Sequence, residues 1–152
     1  MLAWLLGGVL AVSLSVSVVT DLRSRRIPNL VTLPAFAAAL LLRLALGGWD
    51  AAADGLLGAL IAFAPFFALA WAGGMGMGDV KLVAAVGACV GAERILWALF
   101  CIALVGGLQG LAALLWSGTS GRTKRGRVTV PYGVAIALGT AWAMAWRPWL
   151  GA

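Results

Sequence analysis

Very few side chains in this chain could do chemistry. Its 152 residues include no histidine, two cysteines and five acids. Asp50, Asp54 and Glu93 fall in short hydrophilic breaks and read as solvated loop charges, whereas Asp21 and Asp79 each adjoin a long apolar run. Ionisable groups at membrane depth are costly enough to mark functional positions. Two neighbouring carboxylates do not both ionise cheaply, so they share one proton and titrate as a unit. The ionised member can take a proton from a water held between them while the protonated member donates to a carbonyl under attack. Hydrolysis by such a pair needs no metal, cofactor, histidine or covalent intermediate.

Each aspartate also has a structural reading. Asp79 follows Gly78 and precedes VKLVAAVGA, so it could cap the N-terminus of its helix. Asp21 ends its apolar run, where a negative charge opposes the helix dipole, and it could pair with Arg23, Arg25 or Arg26. The glycines of GGMGMGD (Gly73, Gly74, Gly76 and Gly78) free the backbone before Asp79 and put no side chain in the way of an approaching peptide. A phosphate cradle is the competing use of such a run. The segment lacks the GxxxxGK[ST] spacing, and the adjacent aspartate would repel phosphate. Cys89 and Cys101 lie in apolar runs with no CxxC pair, which argues against zinc. They read as small buried hydrophobes.

The elements that must position these residues are membrane helices. The chain is 63% hydrophobic and 11% charged, with mean hydropathy +1.04, against about 45–50% and 25% in soluble domains. A soluble fold this short could not hide so much apolar surface. Six apolar stretches, about 1–20, 30–46, 54–72, 79–91, 95–116 and 130–147, predict an all-α polytopic protein with six transmembrane helices in a single domain over 1–152. Residues 1–20 carry no positive n-region, so they read as a retained helix and not as a cleaved signal.

The charges between the stretches set an orientation. Arg23, Arg25, Arg26, Lys81, Arg122, Lys124, Arg125 and Arg127 fall in the odd-numbered breaks. Arg43, Arg94 and Arg147 are all that remain for the other side. The positive-inside bias then faces the odd breaks to the cytoplasm and puts both termini outside, with Asp21 and Asp79 on the cytoplasmic side. The net charge of +6 is thereby a feature of loops, and nucleic-acid binding is not expected. The stretch from Asp79 to Gly91 is short for a full crossing, which leaves Asp79 inside the membrane boundary, or makes the segment re-entrant, or calls for a locally thinned bilayer. Ala135, Gly139 and Ala143, and likewise Gly106 and Gly110, recur at helix-packing spacing. Trp4, Trp49, Trp116 and Trp149 sit near helix ends as interfacial anchors.

Three segments resemble motifs of the type IV prepilin peptidases, a family of GxGD aspartyl intramembrane proteases. Asp21-Leu-Arg-Ser-Arg-Arg-Ile-Pro-Asn29 is similar to the first aspartate motif, Gly76-Met-Gly-Asp79-Val-Lys-Leu82 to the GxGD motif, and Pro131-Tyr-Gly133 to a weaker element near the C-terminus. They occur in the family's order and span essentially the whole chain. The resemblance implies that Asp21 and Asp79 are the catalytic pair of an aspartic-type endopeptidase in a prokaryotic plasma membrane. It implies prepilin-like substrates whose short basic leader is removed at the cytoplasmic face, with the lipid bilayer as the other partner. It puts Gly76, Gly78, Lys81, Asn29, Pro131 and Gly133 around the site. Lys81 could instead mark only the cytoplasmic interface. Asn29 could cap the second helix or hold a carboxylate. Pro131 and Gly133 could shape the cleft or merely start the last helix. Larger members carry a CxxC-containing domain and methylate their product; this chain resembles the short form, for which methyl transfer is not expected. The competing readings are a small proton-coupled transporter, which would call for symmetric repeats that are not evident, and a non-catalytic pilus-assembly subunit, which would survive loss of either aspartate.

Overall fold

The structure, a computed structural model, describes residues 1–24, 27–119 and 132–146. Arg25, Arg26, Arg122, Lys124, Arg125, Arg127, Pro131, Arg147 and Trp149 lie outside the described residues. Five helices follow in chain order: α1 (Leu2–Ser24), α2 (Asn29–Trp71), α3 (Met77–Val90), α4 (Ala92–Thr119) and α5 (Tyr132–Trp146). Among the described residues, α1, α2 and α4 are long and apolar enough to cross a membrane, while α3 and α5 are shorter. The described residues are helical as expected, in five elements where six were expected. The stretches expected at 30–46 and 54–72 belong to one 43-residue element, and the fourth and sixth stretches form helices too short to count as spans.

The second helix is not straight. Gly48 sits inside it at φ 77°, ψ −170°, a backbone conformation that glycine alone adopts without strain. Along a straight helix Arg43 and Asp54 would be about 16 Å apart, yet they form a 2.8 Å ion pair. The chain must turn back at Gly48. The two arms of α2 then run side by side, and Leu40 and Leu44 share a groove with Ala52 and Leu56.

Polarity runs inward on α1. Its buried face carries Ser13, Ser17 and Asp21 at four-residue spacing together with Leu6, Leu10 and Leu14. Val12, Val16, Val19 and Leu22 point outward. Water on the outside would punish that arrangement; hydrocarbon favours it. Trp4 and Trp49 are also exposed, near helix ends as expected of anchors.

Helix α3 is the most enclosed element, with Val80, Leu82, Val83, Val86 and Cys89 all buried. Its crossing with the second arm of α2 is a backbone contact. A Cβ on Gly87 would run into the carbonyl of Gly58, and one on Gly58 would lie 2.5 Å from the carbonyl of Gly87. Alanine at either position would force the helices apart, so van der Waals contact there depends on the missing side chains. Gly139, with Ala135 and Ala143 on the same buried face of α5, packs in the same way: its Cβ would stand 2.5 Å from the Cα of Ile102 on α4. The expected packing role of that triplet is what the structure has. Gly106 also faces α5, but a Cβ at Gly110 would touch nothing, so the second expected packing pair is only half used.

A cluster missed by sequence reasoning locks the end of the bundle where α3 meets α4. Arg43 is buried; its Nη1 donates to Asp54 Oδ2 (2.8 Å) and to the Ala51 carbonyl (3.0 Å), and its Nη2 donates to the Cys89 carbonyl (3.0 Å). Asp54 Oδ1 accepts the Ala92 N–H at 3.0 Å, at the first turn of α4. Asp54 is thus a helix-joining group and not the solvated loop charge expected of it, whereas Asp50 and Glu93 are exposed as expected. The intervening Gly91 has φ 88°, and a side chain there would strike Asp54.

Candidate active site

At the opposite end of the bundle the last turn of α1, the start of α2, the first turn of α3 and the start of α5 come together. Asp21 is held in the last turn of α1 and is only 6% exposed. Its Oδ2 accepts the backbone N–H of Gly133 at 2.9 Å. A helix N-terminus has N–H groups without intrahelical partners, and one of them here fixes the orientation of the carboxylate. Gly133 must be glycine for steric reasons as well, since a Cβ would lie 2.8 Å from Asp21 Oδ2 and 3.1 Å from Asp21 Cβ. Both helix ends are therefore shaped around this one side chain.

Asp79 occupies the first turn of α3 and is partly buried. Gly76 is the N-cap residue of that helix, with extended backbone (φ −80°, ψ 145°) and no side chain to offer as a cap. A Cβ on Gly76 would stand 3.2 Å from Asp79 Oδ2, so the glycine keeps the space beside the carboxylate open. Asp79 lies at the same end of the bundle as Asp21, on the segment that packs against Ile27. Among the described residues the only ion pair is the distant Arg43–Asp54, so neither Arg23 nor Lys81 neutralises either aspartate. The pairing of Asp21 with Arg23 that the sequence allows is not formed. No three of the described His, Cys, Asp or Glu side chains gather so as to hold a metal ion.

The two aspartate segments interlock through residues between and beside them. Ile27 is buried, and the backbone of Gly78 rests on it: a Cβ at Gly78 would be 3.0 Å from both the Cβ and the carbonyl oxygen of Ile27. Two residues past Ile27 and three past Gly78, Lys81 Nζ donates to Asn29 Oδ1 at 2.9 Å. Asn29 is the first residue of α2 and not its cap; Pro28 stands at the cap and gives no side-chain hydrogen bond. The capping role open to Asn29 is thus corrected to a clasp on Lys81. Ile27 falls within the first aspartate motif, but sequence reasoning gave it no role and missed its contact with Gly78. Pro131 lies outside the described residues.

Fold and site together define a membrane protein, helical throughout the elements of its described residues, in which two acidic side chains from separate helices lie at one end of the bundle. The chain belongs to the type IV leader peptidase family, whose match covers residues 8–111. It is 40% identical over 128 residues to the prepilin leader peptidase/N-methyltransferase of Bacillus subtilis, covering 80% of this chain and 48% of the relative. It is 32% identical over 133 residues to the protein of the same name from Aeromonas hydrophila, covering 83% of this chain and 44% of that one. The leader peptide-processing enzyme for type 4 prepilin-like proteins of Escherichia coli is 36% identical over 93 residues, covering 57% of this chain and 31% of the relative. The chain spans less than half the length of each of these curated relatives. No solved structure matches it.

Proposed function

We propose that the chain is a membrane-embedded aspartic endopeptidase that removes the leader of prepilin-like precursors, with Asp21 and Asp79 as its catalytic pair. The observation that supports this reading is that the segments bearing Asp21 and Asp79 converge at one end of the bundle, where Gly78 packs on Ile27 and Lys81 Nζ donates to Asn29 Oδ1 at 2.9 Å, with no described cation in an ion pair with either aspartate. Sharing one proton, the pair activates a water: the ionised carboxylate takes the water's proton as its oxygen bonds to the scissile carbonyl carbon, and the protonated carboxyl donates to the carbonyl oxygen. Collapse of the resulting adduct breaks the C–N bond, and the departing amine takes up a proton. Gly133 orients Asp21; Gly76 leaves room for the peptide beside Asp79; Gly78 lets α3 close on Ile27; Asn29 and Lys81 clasp the two aspartate-bearing segments together. The proposal covers peptide cleavage and not methyl transfer.

The membrane arrangement belongs to the same proposal. Six apolar segments (α1, the two arms of α2, α3, α4 and α5) traverse or enter a bacterial plasma membrane in alternating directions, with both termini outside. Arg23 and Lys81 at the Asp21–Asp79 end support a cytoplasmic position for the site.

Co-expression with a prepilin-like precursor tests the reading. Wild type should remove the leader, and Asp21→Asn and Asp79→Asn should each abolish removal at unchanged membrane levels. Full processing by either variant would sink the catalytic assignment and favour a non-catalytic subunit.

A further inference from the structure

An open groove lies along α4, beside the segments that lead into the candidate site. Its volume is about 860 Å³, and its sides are Pro65, Phe66 and Leu69 of α2 and Leu99, Phe100 and Leu111 of α4. At one end it is closed by Gly74 and Met75, which lead into Gly76 and Asp79, and by Tyr132, which precedes Gly133 and its hydrogen bond to Asp21. Small-molecule sites fix their ligands with several placed polar groups. Here Tyr132 is the only lining side chain that carries a hydroxyl, amide or charge.

The floor of the groove is glycine. Gly107 and Gly110 have helical backbone, and a Cβ at either would meet nothing within 4 Å. Mid-helix glycine is destabilising by roughly 0.5–1 kcal/mol relative to alanine, and no described neighbour of these two needs it. Glycines on an open helix face let a second helix backbone approach closely. From Leu99 to Leu111 the groove is about 18 Å long, the length of about twelve helical residues.

The geometry points to this groove as the docking site of the substrate's own apolar helix, seated on Gly107 and Gly110 so that the chain at its end reaches Asp21 and Asp79. The inference rests on the proteolytic reading above and adds to it where the uncleaved part of the substrate lies. Length, apolar lining and the presence of Gly74, Met75 and Tyr132 beside the aspartate-bearing segments select a single membrane-embedded helix. A lipid chain filling the same space would have no reason to align with the aspartates.

The test is leader removal by the full chain reconstituted in liposomes, with a precursor that carries a basic leader and an apolar helix. Gly107→Leu and Gly110→Leu project a side chain into the groove from positions whose Cβ meets no described neighbour, and each should slow cleavage at least tenfold. Gly8→Leu, equally free of neighbours but on α1, should stay within twofold of wild type. A short precursor peptide ending soon after the scissile bond should be cleaved equally by wild type and by Gly107→Leu. Wild-type rates on the full precursor in both groove variants, or the same loss on the short peptide, would overturn the docking site. Failure of wild type itself to cleave would overturn the proteolytic reading on which it stands. In an Asp79→Asn background, Gly110→Cys should form a disulfide with a single cysteine in the precursor's apolar helix, and exposed Leu41→Cys should not. Cys89 and Cys101 are buried and should not compete. Capture at residue 41 and none at 110 would also overturn it.

Discussion

Gly133→Ala gives the sharpest test of how Asp21 is held. The added methyl would lie 2.8 Å from Oδ2, 3.1 Å from Cβ and 3.3 Å from Cγ of Asp21. Contacts under 3.0 Å do not persist, so either the carboxylate swings aside or the start of α5 retreats. The Asp21 side chain is short and enclosed, and both movements stretch the 2.9 Å hydrogen bond from Gly133 N–H. Overpacking of this kind costs about 1–3 kcal/mol, and a hydrogen bond to a charged group contributes about 1.5–3 kcal/mol. Displacing a reacting group by about 1 Å lowers rate on the order of 10²-fold, which corresponds to about 2.7 kcal/mol in the barrier. The expected result is a fall of about 10²-fold in kcat/KM for leader removal in liposomes, with the protein still present in the membrane. Gly8→Ala, whose new methyl meets nothing, should match wild type. Wild-type kcat/KM for Gly133→Ala would refute the idea that the α5 N-terminus sets the Asp21 carboxylate.

Further expectations concern the two ends of α3. Asp54→Ala leaves buried Arg43 without its carboxylate and should lower thermal stability by roughly 2 kcal/mol, below the fully buried range because Asp54 is 44% exposed; an unchanged melting temperature in detergent would contradict the joint described above. Asn29→Ala and Lys81→Ala should be non-additive in leader removal, with a coupling of about 0.5–1 kcal/mol in a double-mutant cycle; strict additivity would show that their 2.9 Å contact does not matter to the proposed activity. Gly87→Ala should reduce the folded fraction in membranes, because its methyl collides with the Gly58 carbonyl, and a normal yield would refute the close crossing. A metal chelator should leave leader removal unchanged, and strong inhibition would point to a metal-dependent mechanism.

Much of the architecture is legible in the sequence because lipid imposes a strong rule: apolar stretches become helices, and charge marks their ends. The rule works less well where a polar group is internally satisfied. Arg43 and Asp54 read as a charge near a break and a loop acid, since nothing in their spacing reveals that Gly48 folds the two arms of α2 against each other. The packing glycines divide in the same way. Gly139 could be found from its small-residue repeat, but Gly58 and Gly87 stand 29 positions apart and meet only in three dimensions. At the site, the acids themselves are conspicuous by scarcity. Their support is not: Ile27 under Gly78, and Gly133 against Asp21, are contacts between segments that no periodicity links.

The placement of Asp79 follows from how α3 is gripped. The helix has 14 residues, a rise of about 21 Å, well short of roughly 30 Å of hydrocarbon. Left to itself, so short an apolar helix could slide along the membrane normal or tilt. Its C-terminal end is tied through the Cys89 carbonyl to Arg43, and thence to Asp54 and the first turn of α4. Its middle is pressed against α2 at Gly58–Gly87, and its N-terminal end is clasped by Ile27 and Asn29. With its position fixed along its whole length, α3 delivers Asp79 to the level at which α1 delivers Asp21. A conserved-charge substitution at the far end should then be felt at the site: Arg43→Lys keeps the charge but lacks the planar fork that reaches Ala51, Asp54 and Cys89 together. Processing should fall several-fold in this variant even where the protein remains folded, and restoring the rate by rigidifying the α3–α4 joint would identify position, not stability, as what was lost.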